Sequence, residues 1–198
     1  MPTNYKRVLI CGSEIAASGI KFFEEEFIFR VSGLGELKLP IDAVRAIRFG
    51  ELQRGSRFQK GLLEWQASRE QDTIFISGGA ELQEVDGLIE EVDVNSLIFD
   101  RNDKLQEVPL ARAYGVVLAS PLLKEDERPA CVFSLVGGTR LRADIMELKG
   151  GQVGLSLVEG VEMVIPWEQI RRIGIRSERL EYLSDIEVLN DGVRPLLA

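Results

Sequence analysis

Histidine is the first side chain to look for when asking what chemistry a chain can do, and these 198 residues contain none. Its absence removes the Ser–His–Asp triad, the Cys–His pair and every His-ligated zinc or haem site. Two cysteines cannot build a tetrathiolate metal centre. Cys11 and Cys131 read as buried thiols, or as a disulfide if the chain is exported to an oxidising compartment. Neither has an imidazole partner to make it a nucleophilic thiolate. Carboxylates remain. A pair of them flanking a glycosidic bond can hydrolyse it without histidine. The acids cluster at Glu24–Glu25–Glu26 and at Glu90, Glu91 and Asp93, on expected hairpin tips whose place is taken later by Glu147, Leu148, Lys149 and Gly150, and the sequence singles out no pair. Asp100, Asn102 and Asp103 supply closely spaced oxygens but lack the glycine and distal glutamate of a calcium loop. The glycine pairs Gly78–Gly79, Gly137–Gly138 and Gly150–Gly151 fit neither a dinucleotide fingerprint nor a P-loop and read as hairpin turns. No catalytic residue, cofactor or metal ligand is assigned, and the expectation is a non-enzyme.

Two features could instead bind a partner. Arg140 and Arg142 share a strand face, and with Arg171, Arg172 and Arg176 they form either a solvated ladder or a weak anionic-partner site. Trp65 follows Phe58 and Leu62 at helical spacing; it either packs a short helix onto the body or offers an aromatic platform to a sugar or protein. Gly61 weakens that helix by about 1 kcal/mol relative to alanine.

The elements that must carry these residues follow from an internal repeat. The segments LPIDAVRAIRF (39–49), VPLARAYGVVL (108–118) and IPWEQIRRIGI (165–175) share an apolar–Pro–apolar opening at Pro40, Pro109 and Pro166. Gly12, Gly79 and Gly138 precede these prolines by 28, 30 and 28 residues, each closing an apolar run. Between glycine and proline the apolar residues alternate: Phe27, Phe29, Val31, Leu37 and Leu39; Leu97, Phe99, Leu105 and Val108; Val153, Leu155, Leu157, Val161, Met163 and Ile165. Period two marks half-buried strands. Glycine supplies the positive φ of tight hairpins, and proline pre-sets φ for a short turn before a last strand.

The predicted architecture is therefore all-β: three tandem small barrels or sheets of five strands, each marginal alone and gaining the remaining burial by packing against its neighbours. The boundaries are repeat 1 at 1–50, a helical linker at 51–72, repeat 2 at 73–119, a Pro-bounded linker at 120–129, repeat 3 at 130–176 and a C-terminal strand and tail at 177–198. Each unit resembles a minimal Sm-like or SH3-like barrel, an analogy of fold that does not license RNA binding.

Charge narrows the partners. Against 24 Lys+Arg stand 32 Asp+Glu, net −8, and residues 73–119 alone carry −6 while 1–50 and 130–176 are each +1. An acidic chain argues against nucleic acid. No stretch approaches a membrane span, and the apolar run Val8 to Cys11 is too short for a signal-peptide core. The expectation is a cytoplasmic protein, or an exported one whose leader lies outside this sequence.

The order of IFISGGAEL (74–82), VPLARAYGVVL (108–118), VFSLVGGTRLRA (132–143), IPWEQIRRIGI (165–175) and the closing LEYLSDIE (180–187) resembles the region that precedes the NPCBM-type carbohydrate-binding module in bacterial exported proteins. The resemblance covers essentially the whole chain but not the binding module. It implies an exported or periplasmic setting and carbohydrate association of a longer parent rather than a sugar site in these residues. The expected function is a non-catalytic scaffold or interaction module, partnered by protein, by further domains of a longer chain or by carbohydrate. The alternatives are an Sm-like adaptor that oligomerises through open sheet edges and binds protein or nucleic acid, and a histidine-independent carboxylate hydrolase.

Overall fold

The computed structural model describes residues 6–10, 13–49, 71–77, 82–119, 131–157 and 161–175. Within them the chain is all-β, and its fifteen strands join one large antiparallel sheet that does not close on itself. The first described segment holds β1 (Lys6–Ile10), β2 (Ser13–Phe23), β3 (Glu26–Val31), β4 (Gly35–Pro40) and β5 (Val44–Arg48). The second holds β6 (Asp72–Ser77), β7 (Leu82–Val92), β8 (Ser96–Asp100), β9 (Leu105–Pro109) and β10 (Ala113–Val117). The third holds β11 (Cys131–Leu135), β12 (Arg140–Lys149), β13 (Gln152–Leu157), β14 (Glu162–Pro166) and β15 (Ile170–Ile175). Asp72, assigned from sequence to the end of the first linker, opens β6.

In each segment the strand order is last, first, second, third, fourth: β5-β1-β2-β3-β4, β10-β6-β7-β8-β9 and β15-β11-β12-β13-β14. The registers agree position by position. Val8 faces Ile15 and Ile47, Ile74 faces Val85 and Val116, and Phe133 faces Leu141 and Ile173. Further along, Phe27 lies between Phe22 and Leu39, Leu97 between Val92 and Val108, and Val153 between Leu148 and Ile165. The long second strand of each segment carries a bulge, which lets it bend.

Turn chemistry explains the corners. Gly150 and Gly151 both take positive φ in the two-residue β12–β13 hairpin, as the right-handed twist of the flanking strands favours. Glu24 and Glu25 take the same left-handed conformation between β2 and β3, where a side chain is strained. The expected charged tip is thus real there, whereas Glu90, Glu91 and Glu147 lie within strands. Pro40 and Pro166 each lead into a single 3-10 turn, Ile41–Ala43 and Trp167–Gln169, and Pro109 into a turn closed by Arg112 N–H donating to the Pro109 carbonyl at 2.8 Å. The residue after each proline donates to the preceding hairpin: Ile41 to Glu25 O, Leu110 to Asn95 O and Trp167 to Gly151 O, at 2.9, 2.7 and 2.8 Å. Proline fits at these positions because each sits on a strand paired on one side only among the described residues, where a missing N–H costs nothing.

One hydrophobic core runs through all three segments, from Val8, Phe27 and Phe29 through Ile74 and Phe99 to Phe133 and Ile165. The alternating residues named from sequence lie in it, except for Met163, which is half-buried and packs against it, and Leu105, which is exposed opposite Asp100 at the end of β9. The first two segments join along β5 and β10, strands buried along nearly their whole length. A second small cluster of Ala46, Phe75, Tyr114 and Val117 covers the outer side of that junction. The first and third segments meet where Arg140 of β12 pairs Glu14 of β2 and Ala16 N–H donates to the buried Thr139 hydroxyl at 3.1 Å. The short helix expected around Phe58, Leu62 and Trp65, the linker at 120–129, the tail at 177–198 and the turn glycines Gly12 and Gly79 lie outside the described residues.

Candidate functional site

Among the described residues, the buried Ser13, Asp72 and Thr139 side chains are each hydrogen-bonded to backbone. Asp72 is buried at the start of β6; its two carboxylate oxygens accept Ile89 N–H at 2.9 Å and Ala119 N–H at 2.6 Å. The carboxyl thereby ties the first strand of the second segment to the bulged β7 and to the chain leaving β10. Burial pushes its pKa up, and the two amide hydrogen bonds partly offset that rise. Asp93 does the opposite on the surface: it accepts Asn95 and Ser96 N–H at 2.6 and 2.7 Å, and these bonds hold its pKa down. Asn102 and Asp103, weighed from sequence as calcium ligands, form the left-handed corner of the β8–β9 hairpin, closed by Arg101 N–H donating to Lys104 O at 3.0 Å. Among the described residues, no three of His, Cys, Asp and Glu group to hold a metal ion. Cys131 is a buried free thiol, its pKa raised by burial first and by the Asp144 charge second; Cys11 lies outside the described residues.

The sequence-derived partner residues divide three ways. Arg140 is exposed on β12 opposite Glu14, and it faces Ser134, which in turn faces Arg172 on β15. Directly paired residues share a face, so Arg140, Arg142 and Arg172 line the outer face of the third segment. Arg142 is also tied into the contact between the first and third segments, its N–H donating to Ser13 Oγ at 2.8 Å. Trp65 lies outside the described residues. Gly138 has positive φ in the β11–β12 turn, as its turn role requires, and Pro40, Pro109 and Pro166 sit at the corners described above.

A surface that sequence reasoning passed over is apolar. Of the eleven exposed large hydrophobic residues among those described, seven lie in the third segment: Val136, Ile145, Met146, Leu148, Val164, Trp167 and Ile175. Trp167 is 52% exposed beside Pro166, at the place held by the half-buried Ile41 and Leu110 in the other segments. Alternation alone places such residues on strands; it does not say which strand faces lack a neighbour. No helix among the described residues is long and apolar enough to cross a membrane.

No protein-family model matches this chain, and comparison with the curated proteins gives no match.

Proposed function

We propose that the chain is a non-catalytic interaction module of three tandem small barrels of the Sm-like or SH3-like kind, part of an exported protein that associates with carbohydrate or the cell envelope. The observation that carries this reading is the concentration of exposed apolar side chains on the third segment, with Trp167 standing out of it. Large apolar side chains left exposed together on one unit are candidates for recognition. An indole face beside a corner of the sheet can stack on a sugar ring, as aromatic side chains pair an apolar body with a polar tip. The common strand order of the three segments supports the tandem-barrel part of the reading, and the resemblance to regions preceding carbohydrate-binding modules supports the setting.

A pull-down with insoluble polysaccharides and peptidoglycan tests it. Retention of the wild-type chain, lost in Trp167→Ala with an unchanged circular dichroism spectrum, is the expected result. Wild-type chain that stays in the supernatant on every polymer removes direct carbohydrate binding by these residues.

The adaptor reading has an observation of its own. The first two segments already associate strand to strand, β5 against β10, so edge pairing is the way these units join.

A further inference from the structure

The contact between the first and second segments is built from like positions. Ile47 pairs Val116 across β5 and β10, and these are corresponding residues, since each faces the apolar centre of its own first strand, Val8 or Ile74. On either side Arg48 meets Gly115 and Ala46 meets Val117, which exchange roles when the two segments are swapped. The flanking hydrogen bonds swap too: Phe49 N–H donates to Tyr114 O and Leu118 N–H to Arg45 O, both at 2.9 Å. At the far end of the junction Phe22 pairs Val92, again corresponding positions, each opposite the start of its third strand. The two segments therefore meet as the halves of a two-fold dimer meet, and such a contact is self-complementary.

The third segment has the same surface without a neighbour among the described residues. Ile173 corresponds to Ile47 and Val116, Ile175 to Phe49 and Leu118, and Leu148 to Phe22 and Val92. Among the described residues β15 pairs only β11. Phe22, Val92 and Leu118 are 4%, 2% and 3% exposed, whereas Leu148 and Ile175 are 62% and 63% exposed. Their cross-strand partners Val153 and Cys131 are buried core residues, so both lie on the core-facing side of the sheet, at an end that nothing described covers.

We propose that this end is a self-association surface: β15 of two copies of the chain pair antiparallel about Ile173, with Leu148 of one copy against Leu148 of the other. The proposal rests on the interaction-module reading and names its partner. Charge permits it. With Ile173 at the centre, Arg172 stands opposite Gly174 and Arg171 opposite Ile175, so no arginine faces an arginine across the pair. Pairing last strand to last strand closes after two copies and gives a dimer rather than a ring or fibre.

Sedimentation velocity and light scattering of the full chain test the proposal. The wild type is expected to have twice the mass of one chain at tens of micromolar. Leu148→Glu sets two carboxylates against each other at the two-fold and should weaken association at least tenfold, with an unchanged circular dichroism spectrum because Leu148 is exposed in the single chain. Leu148→Lys should do the same alone, and mixing the two variants should restore the dimer. A monomeric wild type, whose edge would then be covered by its own residues 176–198 or by a different partner, overturns the proposal. So does a Leu148→Glu chain that stays dimeric, or a mixture that stays monomeric. Running the polysaccharide pull-down on Leu148→Glu alongside the wild type separates loss of self-association from loss of glycan binding.

Discussion

Asp72 is a buried carboxyl held by backbone amides. It accepts two of them, Ile89 N–H and Ala119 N–H. Removing both acceptors in Asp72→Ala leaves the buried Ile89 donor and the part-buried Ala119 donor without them, and the variant should lose about 2 kcal/mol in urea unfolding, because an unsatisfied buried group costs roughly 1–3 kcal/mol and the lost charge burial offsets part of it. The pH dependence has a definite sign. The folded-state pKa lies above the ordinary 3.8, so between that value and the folded pKa the native state holds more proton than the unfolded state. Stability through this group is full below 3.8 and falls as pH rises through the folded pKa. Asp72→Asn does not titrate, so its unfolding free energy measured from about pH 3.5 upward should lack the part of the decline that the wild type owes to Asp72. Nothing in the sequence distinguishes Asp72 from the surface acids around it; its role depends on Ile89 and Ala119, 17 and 47 residues away.

At the scale of the element, the second strands decide the shape of each segment. They run 10 or 11 residues, bend at a bulge, and carry a small residue where the bend brings the third strand close. Ala17 and Ala143 are buried at that position, and in β7 it is Gly87. A Cβ on Gly87 would lie 2.5 Å from the Asp100 carbonyl and 2.8 Å from the Phe99 ring. Because the first of these is backbone, Gly87→Ala should destabilise by about 1–3 kcal/mol, the usual cost of overpacking, and thermal melting will show it. Five strands per segment, their alternation, and the corners at Pro40, Pro109 and Pro166 were legible in the sequence because period-two burial and turn chemistry are local. The charged tips were less so. Glu90 and Glu91 read as a turn, but the turn falls at 93–95, because Asp93 caps it through the amides of Asn95 and Ser96.

At the scale of the whole molecule the segments are parts of one object. The core passes from one segment into the next without a polar break, so unfolding should be a single transition with coincident circular dichroism and tryptophan fluorescence. The hydrogen bond from Ala16 to Thr139, 123 residues apart in sequence, is a point where the first and third segments lock. Thr139→Val keeps the shape and removes the acceptor, leaving a buried amide unpaired; it should lower the midpoint of that single transition by an amount equivalent to about 1–3 kcal/mol. A variant that instead splits the transition in two would show that the third segment folds apart from the others.

The sequence by itself determined that this protein is all-β, with strands and turns in a recurring order, and that histidine-dependent chemistry is closed to it. Those properties depend on residue type and on spacings of two to a few residues, where local sterics and alternating burial act. Only the tertiary structure decided which edges are used. β5 and β10 are buried against each other, while β15, with the same apolar pattern in IRRIGI, has no partner on its outer side among the described residues. The alternation of a strand records that one of its faces is buried. It does not record which neighbour lies along its edge, because backbone N–H and C=O groups pair alike whatever side chains they carry.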